Sequence, residues 1–183
     1  MLNISNEFAN QLLKDNRFYQ CYSDITLKDG TVLNITNKDI WNGGFQFENA
    51  VSSDGDFQIG CVIIGEHILS LNNIYDEFSE YDFNDAEEIS YVGLQLPDGT
   101  IEKIRKGTYV VDEATYNGTI ITLNCLDKLS LLDRPYSEST LQYPATLGEI
   151  IRDACSVCGI TLLTSTFDED GYTIENRPDD ESV

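Results

Sequence analysis

Three dipeptides constrain this chain more than any other feature: Asp29-Gly30, Asp98-Gly99 and Asn117-Gly118 each separate two alternating or apolar runs. Asp-Gly and Asn-Gly accept the positive φ angles of a two-residue hairpin turn, so each pair predicts two antiparallel strands. Before the first turn the period is two: Tyr19, Cys21 and Ser23 share one face and lead through Ile25 and Leu27, with Val32, Leu33 and Ile35 after the turn. The second joins residues 91–96 to 100–106, and the third joins 108–116 to 119–126. In the last run Ile121, Leu123 and Cys125 alternate with Thr122 and Asn124, which gives one buried and one wet face. Residues 57–64 and 67–71 read as further strands, with Gly60 and Gly65 as bulges or bends. Six or seven strands with closely spaced turns predict a barrel or strongly curved sheet, because closure removes open edges.

Helical spacing occurs on both sides of these strands. Ile4, Phe8, Leu12 and Leu13 form an apolar stripe over residues 3–16. Leu126, Leu129, Leu131 and Leu132 suit a short helical turn closing the sheet, stopped by Asp133-Arg134-Pro135. Thr146 and Glu149 have capping-box spacing, and Leu147, Ile150, Ile151, Ala154, Cys155 and Cys158 lie on one helical face ending at Gly159. A strand over 160–166, a turn over 168–171 and a strand over 172–175 are expected next. One helix and one hairpin cannot bury a core. The expected class is therefore mainly β with minor α: an N-terminal helix within 1–17, an antiparallel β-barrel domain over 18–138, and over 139–183 the start of a second α+β domain. That last part, with helix 146–158 and a hairpin, is expected to be truncated or completed by another chain.

Charge excludes several partners. The 183 residues hold 32 Asp+Glu against 11 Lys+Arg, a formal charge of -21, yet 41% are hydrophobic and 10% aromatic, too many for a disordered acidic polymer. Between Asp39 and Glu102 there are 14 acidic residues and no basic one. No basic stripe follows a phosphate backbone there, and anionic lipid is repelled. No apolar run approaches the ~20 residues of a membrane-spanning helix, and the first residues lack a secretion signal, so no membrane insertion is expected and synthesis is expected in the cytoplasm. Five scattered cysteines, Cys21, Cys61, Cys125, Cys155 and Cys158, are an odd number and read as free thiols.

Candidate chemistry is sparse. Cys155-Ser-Val-Cys158 has C-x-x-C spacing, but no second pair exists, and both thiols fall on the apolar stripe at the end of a helix instead of its start. They read as core cysteines. Asp54-Gly-Asp56 and Asp168-Glu-Asp170-Gly171 cluster oxygens of the kind calcium favours without the spacing of a complete calcium loop, and read as solvated turns. His67, the single histidine, lies in an apolar strand with no evident partner. No nucleophile elbow or phosphate-binding glycine loop is present. No catalytic, cofactor-binding or metal residue is assigned, and no cofactor is expected. The acidic run Asp76, Glu77, Glu80, Asp82, Asp85, Glu87 and Glu88 is interleaved with Tyr75, Phe78, Tyr81 and Phe83. These rings either anchor a long loop onto the barrel, the preferred reading, or form a docking surface for a neighbouring subunit.

Several segments together resemble a known family. Residues 69–83, LSLNNIYDEFSEYDF, precede VGLQLPDG at 92–99, IRKGTYVVD at 104–112, TLNCLD at 122–127, DRPY at 133–136 and YPATLGEIIRD at 143–153. In that order and spacing, over residues 18–165, they resemble the N-terminal region of bacteriophage and prophage tail baseplate hub proteins. The resemblance implies a non-enzymatic chain built from tail-tube-like β-barrels. It also implies a homotrimeric ring that joins the tail tube, or a distal tail protein, to a central spike protein, and a place in the virion tail after synthesis in the host cytoplasm. Family chains run well beyond 183 residues. The resemblance gives the charge a meaning: carboxylates facing a tube through which DNA passes would repel its phosphates. Two other classes remain open, a tail-tip carboxylate-based cell-wall hydrolase and a calcium-stabilised carbohydrate- or receptor-binding module.

Overall fold

The computed structural model describes residues 4–48, 64–133 and 136–177. The expected strand over 57–64, Gly60, Cys61, the Asp54–Asp56 cluster and the Arg134-Pro135 stop fall wholly or mainly outside the described residues. The chain divides into two compact units, Met1–Asp127 and Lys128–Val183.

The first unit begins with α1 (Asn6–Leu12), shorter than the apolar stripe suggested; its N-cap Ser5 accepts a hydrogen bond from the Phe8 backbone N–H. Among the described residues seven strands follow: β1 (Tyr19–Thr26), β2 (Val32–Ile35), β3 (Ile40–Glu48), β4 (Glu66–Asn72), β5 (Glu87–Gln95), β6 (Ile101–Asn117) and β7 (Ile120–Asp127). All three expected hairpins form, β1–β2, β5–β6 and β6–β7. The runs 100–106 and 108–116 are one continuous strand, β6. β3 was not foreseen.

The strands make one antiparallel sheet in the order β2-β1-β5-β6-β7-β4-β3. Its two edge strands are consecutive in the chain, joined only by residues 36–39. Laid flat, seven strands at about 4.8 Å spacing would hold β2 and β3 about 29 Å apart. The connection from Ile35 to Ile40 reaches at most about 19 Å. The sheet must therefore roll up. The connection is also bonded on both sides: the Cys21 N–H of β1 donates to Asn37 Oδ1, and the Asn72 N–H of β4 donates to the Asp39 carbonyl. Through the ladders Cys21 lies level with Ile104, and Asn72 with Asn117, near opposite ends of β6. Such stagger is the signature of tilted strands in a rolled sheet. No β2–β3 ladder is formed among the described residues.

Alternation sets the interior. Ile25, Leu69, Leu71, Val111, Ile121, Leu123 and Cys125 enter one core, joined by Phe78 and Phe83 from the loop between β4 and β5. Burying each large side chain contributes roughly 1.5–3 kcal/mol.

In the second unit a 3₁₀ turn (Lys128–Leu132) matches the expected leucine turn, and α2 (Leu147–Val157) follows the two-residue strand β8 (Ala145–Thr146). Both halves of the Thr146/Glu149 capping box are present, and Gly159 has φ +69 after the Cys158 C-cap. The expected strand over 160–166 is absent. β9 (Thr173–Ile174) pairs instead with β8. With its polar Thr161, Thr164, Ser165 and Thr166, the 160–166 segment has no continuous apolar face to bury, and Leu163 is fully exposed.

Candidate functional site

The interior of the first unit holds a polar centre where an apolar one was expected. Ser23 of β1, His67 of β4, and Glu88 and Ser90 of β5 are all 0% exposed. The Ser23 hydroxyl donates to Glu88 Oε1 over 2.5 Å, and the Ser90 hydroxyl reaches Oε1 and Oε2 at 2.6 and 2.8 Å. His67 Nδ1 lies 2.8 Å from the Gln46 carbonyl. A carbonyl can only accept, so Nδ1 carries a proton. Nε2 lies 3.6 Å from Glu88 Oε1, within ion-pair range but beyond hydrogen-bond length. The imidazole stacks on Phe47 with centroids 4.3 Å apart, meets Phe45 edge-on and lies near Tyr109. Burial, and secondarily Glu88, raises the Tyr109 phenol above its ordinary range. Burial likewise pushes the Cys125 thiol up.

β6 and β7 separate β4 from β5 in the sheet, so in a flat sheet His67 and Glu88 would lie about 14 Å apart. They meet across the rolled interior. His67 therefore has a partner, contrary to the sequence expectation. All four side chains of this centre are fully buried. It serves the fold: removing one member leaves buried polar atoms unpaired, at a cost of about 3 kcal/mol or more.

The outward-facing features gather at the two ends of β5. Beyond its first residue lies the 73–86 loop. Asn73 organises it: its N–H donates to the Thr119 carbonyl, its Nδ2 donates to Ser79 Oγ and the Gly118 carbonyl, and its Oδ1 accepts from the Phe78 N–H. Phe78 and Phe83 plug into the core, Tyr81 packs against it, and the Tyr116 hydroxyl donates to the Tyr81 carbonyl. Three of the four rings thus anchor the loop. The fourth, Tyr75, is 83% exposed, with Ile74, Glu77 and Glu80 also on the surface.

Beyond the last residue of β5, α1 and the Leu96–Thr100 turn enclose an open groove of about 710 Å³. Its lining includes Lys14, Arg17, Phe18, Leu96 and Pro97. α1 is held there by buried Phe8 and by two bonds from Ser5 to the Glu102 carboxylate. Arg17 donates to the Leu12 carbonyl, and neither Lys14 nor Arg17 forms a salt bridge among the described residues. Leu13, 84% exposed, adjoins Lys14 in the chain.

In the second unit, Asp170 of the acidic turn sits against Arg152, with Oδ1 3.1 Å from Nη2. A guanidinium thus takes up the carboxylate that the calcium reading would use. Tyr136 and Ser139 both donate to Asp153 Oδ2, and burial with that carboxylate pushes the Tyr136 phenol up to about 12. Cys155 is buried, Cys158 is partly exposed, and burial raises the Cys155 thiol. Among the described residues, no group of three His, Cys, Asp or Glu side chains could hold a metal ion.

No family model matches the chain, and no curated protein matches it. Among solved structures, a chain of the virion of a native gene transfer agent particle is 12% identical, with a TM-score of 0.47 over 78% of this chain and 50% of that one. A chain of the lidded Francisella PdpA-VgrG complex is 10% identical, with a TM-score of 0.44 over 88% of this chain and 23% of that one. The half-lidded form of that complex gives 9% identity and a TM-score of 0.40, over 80% and 24%. The chain spans half or less of the length of each.

Proposed function

We propose that this protein is a structural component of a phage or prophage tail baseplate hub, forming a ring that joins the tail tube to the central spike. The observation that carries this reading is the division of the first unit into a sealed interior and two outward-facing ends. The Ser23, Ser90 and Glu88 side chains bond to one another inside the fold and His67 Nε2 faces Glu88 there, while exposed apolar and charged side chains lie at the ends of β5. Such a molecule acts by contact. The family-like segments support the same reading, because 92–99 covers the end of β5 and its turn, and 104–112 and 122–127 fall on β6 and β7 of the same rolled sheet. Its partners are copies of itself as a homotrimer, a tail tube or distal tail protein, and a spike protein. It has no enzymatic role and belongs to the virion.

Deleting the gene from a phage or prophage that encodes it tests the reading. Lysates should then contain tail tubes without spikes, and complementation should restore complete tails. Normal tails from the deletion strain would overturn it.

A further inference from the structure

We propose that the groove beside α1 of one copy receives the Ile74–Glu80 part of the acidic loop of a second copy. The inference rests on the self-assembly reading above and names the two surfaces that meet.

Two observations carry it. The groove is walled by Phe18, Leu96 and Pro97 and carries Lys14 and Arg17, two exposed cations in a chain of formal charge -21. The loop presents the matching chemistry, an aromatic and an aliphatic side chain, Tyr75 and Ile74, beside the exposed carboxylates Glu77 and Glu80. Within the loop Tyr75, 83% exposed, is the large apolar side chain most open to a partner. An apolar contact rimmed by opposite charges is the composition of a specific interface.

The two surfaces also lie at opposite ends of β5, so no copy can satisfy its own groove with its own loop. The carboxylates outside the contact are consistent with this choice. Within the segment Asp76 accepts from the Ser79 hydroxyl, and beyond it Asp85 pairs with Lys28, whereas Glu77 and Glu80 have no salt bridge among the described residues. Unlike surfaces make a heterologous contact, which builds a ring where its rotation closes and an open chain where it does not. The adjoining hollow of about 260 Å³, lined by Glu7, Lys14 and Asp98 among others, brings two carboxylates beside Lys14. Their repulsion places the incoming loop toward Arg17 and Phe18.

Sedimentation of the full chain tests this with two charge-reversed variants, K14E/R17E in the groove and E77K/E80K in the loop. Wild type should exceed its monomer mass of 20.6 kDa as concentration rises and return toward it at about 0.5 M salt, where charge contacts are screened. Each variant alone should stay monomeric. An equimolar mixture should associate again, because each reversed surface then meets its complement; a folding defect could not produce that rescue. Oligomers that persist in both variants would overturn the groove-and-loop contact and leave the ring reading standing. A wild-type chain that is monomeric at every concentration, yet binds tail tubes, would overturn the contact and leave only the tube attachment. A monomeric wild type that also fails to bind tubes would remove both.

Discussion

The two units are stabilised by different means. In the first, thirteen buried hydrophobic residues among those described form one cluster, and a buried polar centre accompanies it. In the second, only Ala145 and Cys155 are buried hydrophobics among the described residues, and most of the specific contacts are polar. Arg152 pairs with Asp170, Tyr136 and Ser139 share Asp153, and Arg177 donates to the carbonyls of Ser139 and Tyr136. Part-buried hydrogen bonds of this kind contribute about 0.5–1.5 kcal/mol each, less than a buried leucine. The first unit therefore has the means to hold its own shape, whereas the second depends on small terms.

Truncation of a side chain in each unit should break the symmetry most visibly. Leu123→Ala, at a fully buried position of β7, should cost about 2–5 kcal/mol in denaturant unfolding. Ile151→Ala on the partly exposed face of α2 should cost about 1 kcal/mol or less. Equal costs would show that the second unit has a core as strong as the first.

Next comes the polar centre. Glu88→Ala strands both serine hydroxyls and His67, and should cost about 3 kcal/mol in the same measurement. Glu88→Gln keeps an acceptor oxygen and should cost less. If the alanine variant were as stable as wild type, the centre would not hold β4 against β5.

Gly148→Ala should act only on the second unit. A Cβ there would stand 1.1 Å from Asp170 Oδ1, so the side chain must move and its Arg152 pair must rearrange, at about 1–3 kcal/mol. Hydrogen exchange should quicken along α2 and stay unchanged in β4–β7.

The smallest effect is on pH dependence. Its bonds to the Thr146 N–H and hydroxyl hold the Glu149 carboxyl below its ordinary 4.5. A lowered folded value means that the contribution is fully present above 4.5 and lost as pH falls through the folded value. α2 should therefore loosen in acid, and Glu149→Gln should flatten that part of the profile, read by hydrogen exchange at α2.

Much of the fold was legible because its signals are local. The turn glycines and the capping box act within four residues, and they formed as read. β3 was missed because Gly43-Gly44 and the register shift between Ile40 and Phe45 interrupt its period, although Phe45 and Phe47 alternate with Gln46 and Glu48. The polar centre was illegible for a different reason. On β5, Glu88 and Ser90 point inward and Ile89 and Tyr91 outward, the reverse of what alternation alone suggests. Inversion of this kind becomes favourable only when Ser23 and His67 arrive from β1 and β4, and no local pattern encodes those meetings. In the acidic loop the four aromatics signalled either anchoring or docking, with anchoring preferred, but which ring stays outside depends on the Asn73 bonds that orient the turn.

The central claim is that this molecule works by contact at the ends of a sealed barrel. Electron microscopy of tail tubes, incubated with the purified chain and the spike protein from the same genome, tests it most directly. The account predicts added ring density at one end of the tubes, with spikes seated on it, and loss of that density with K14E/R17E. Tubes that remain bare while the chain cleaves purified cell wall would contradict it.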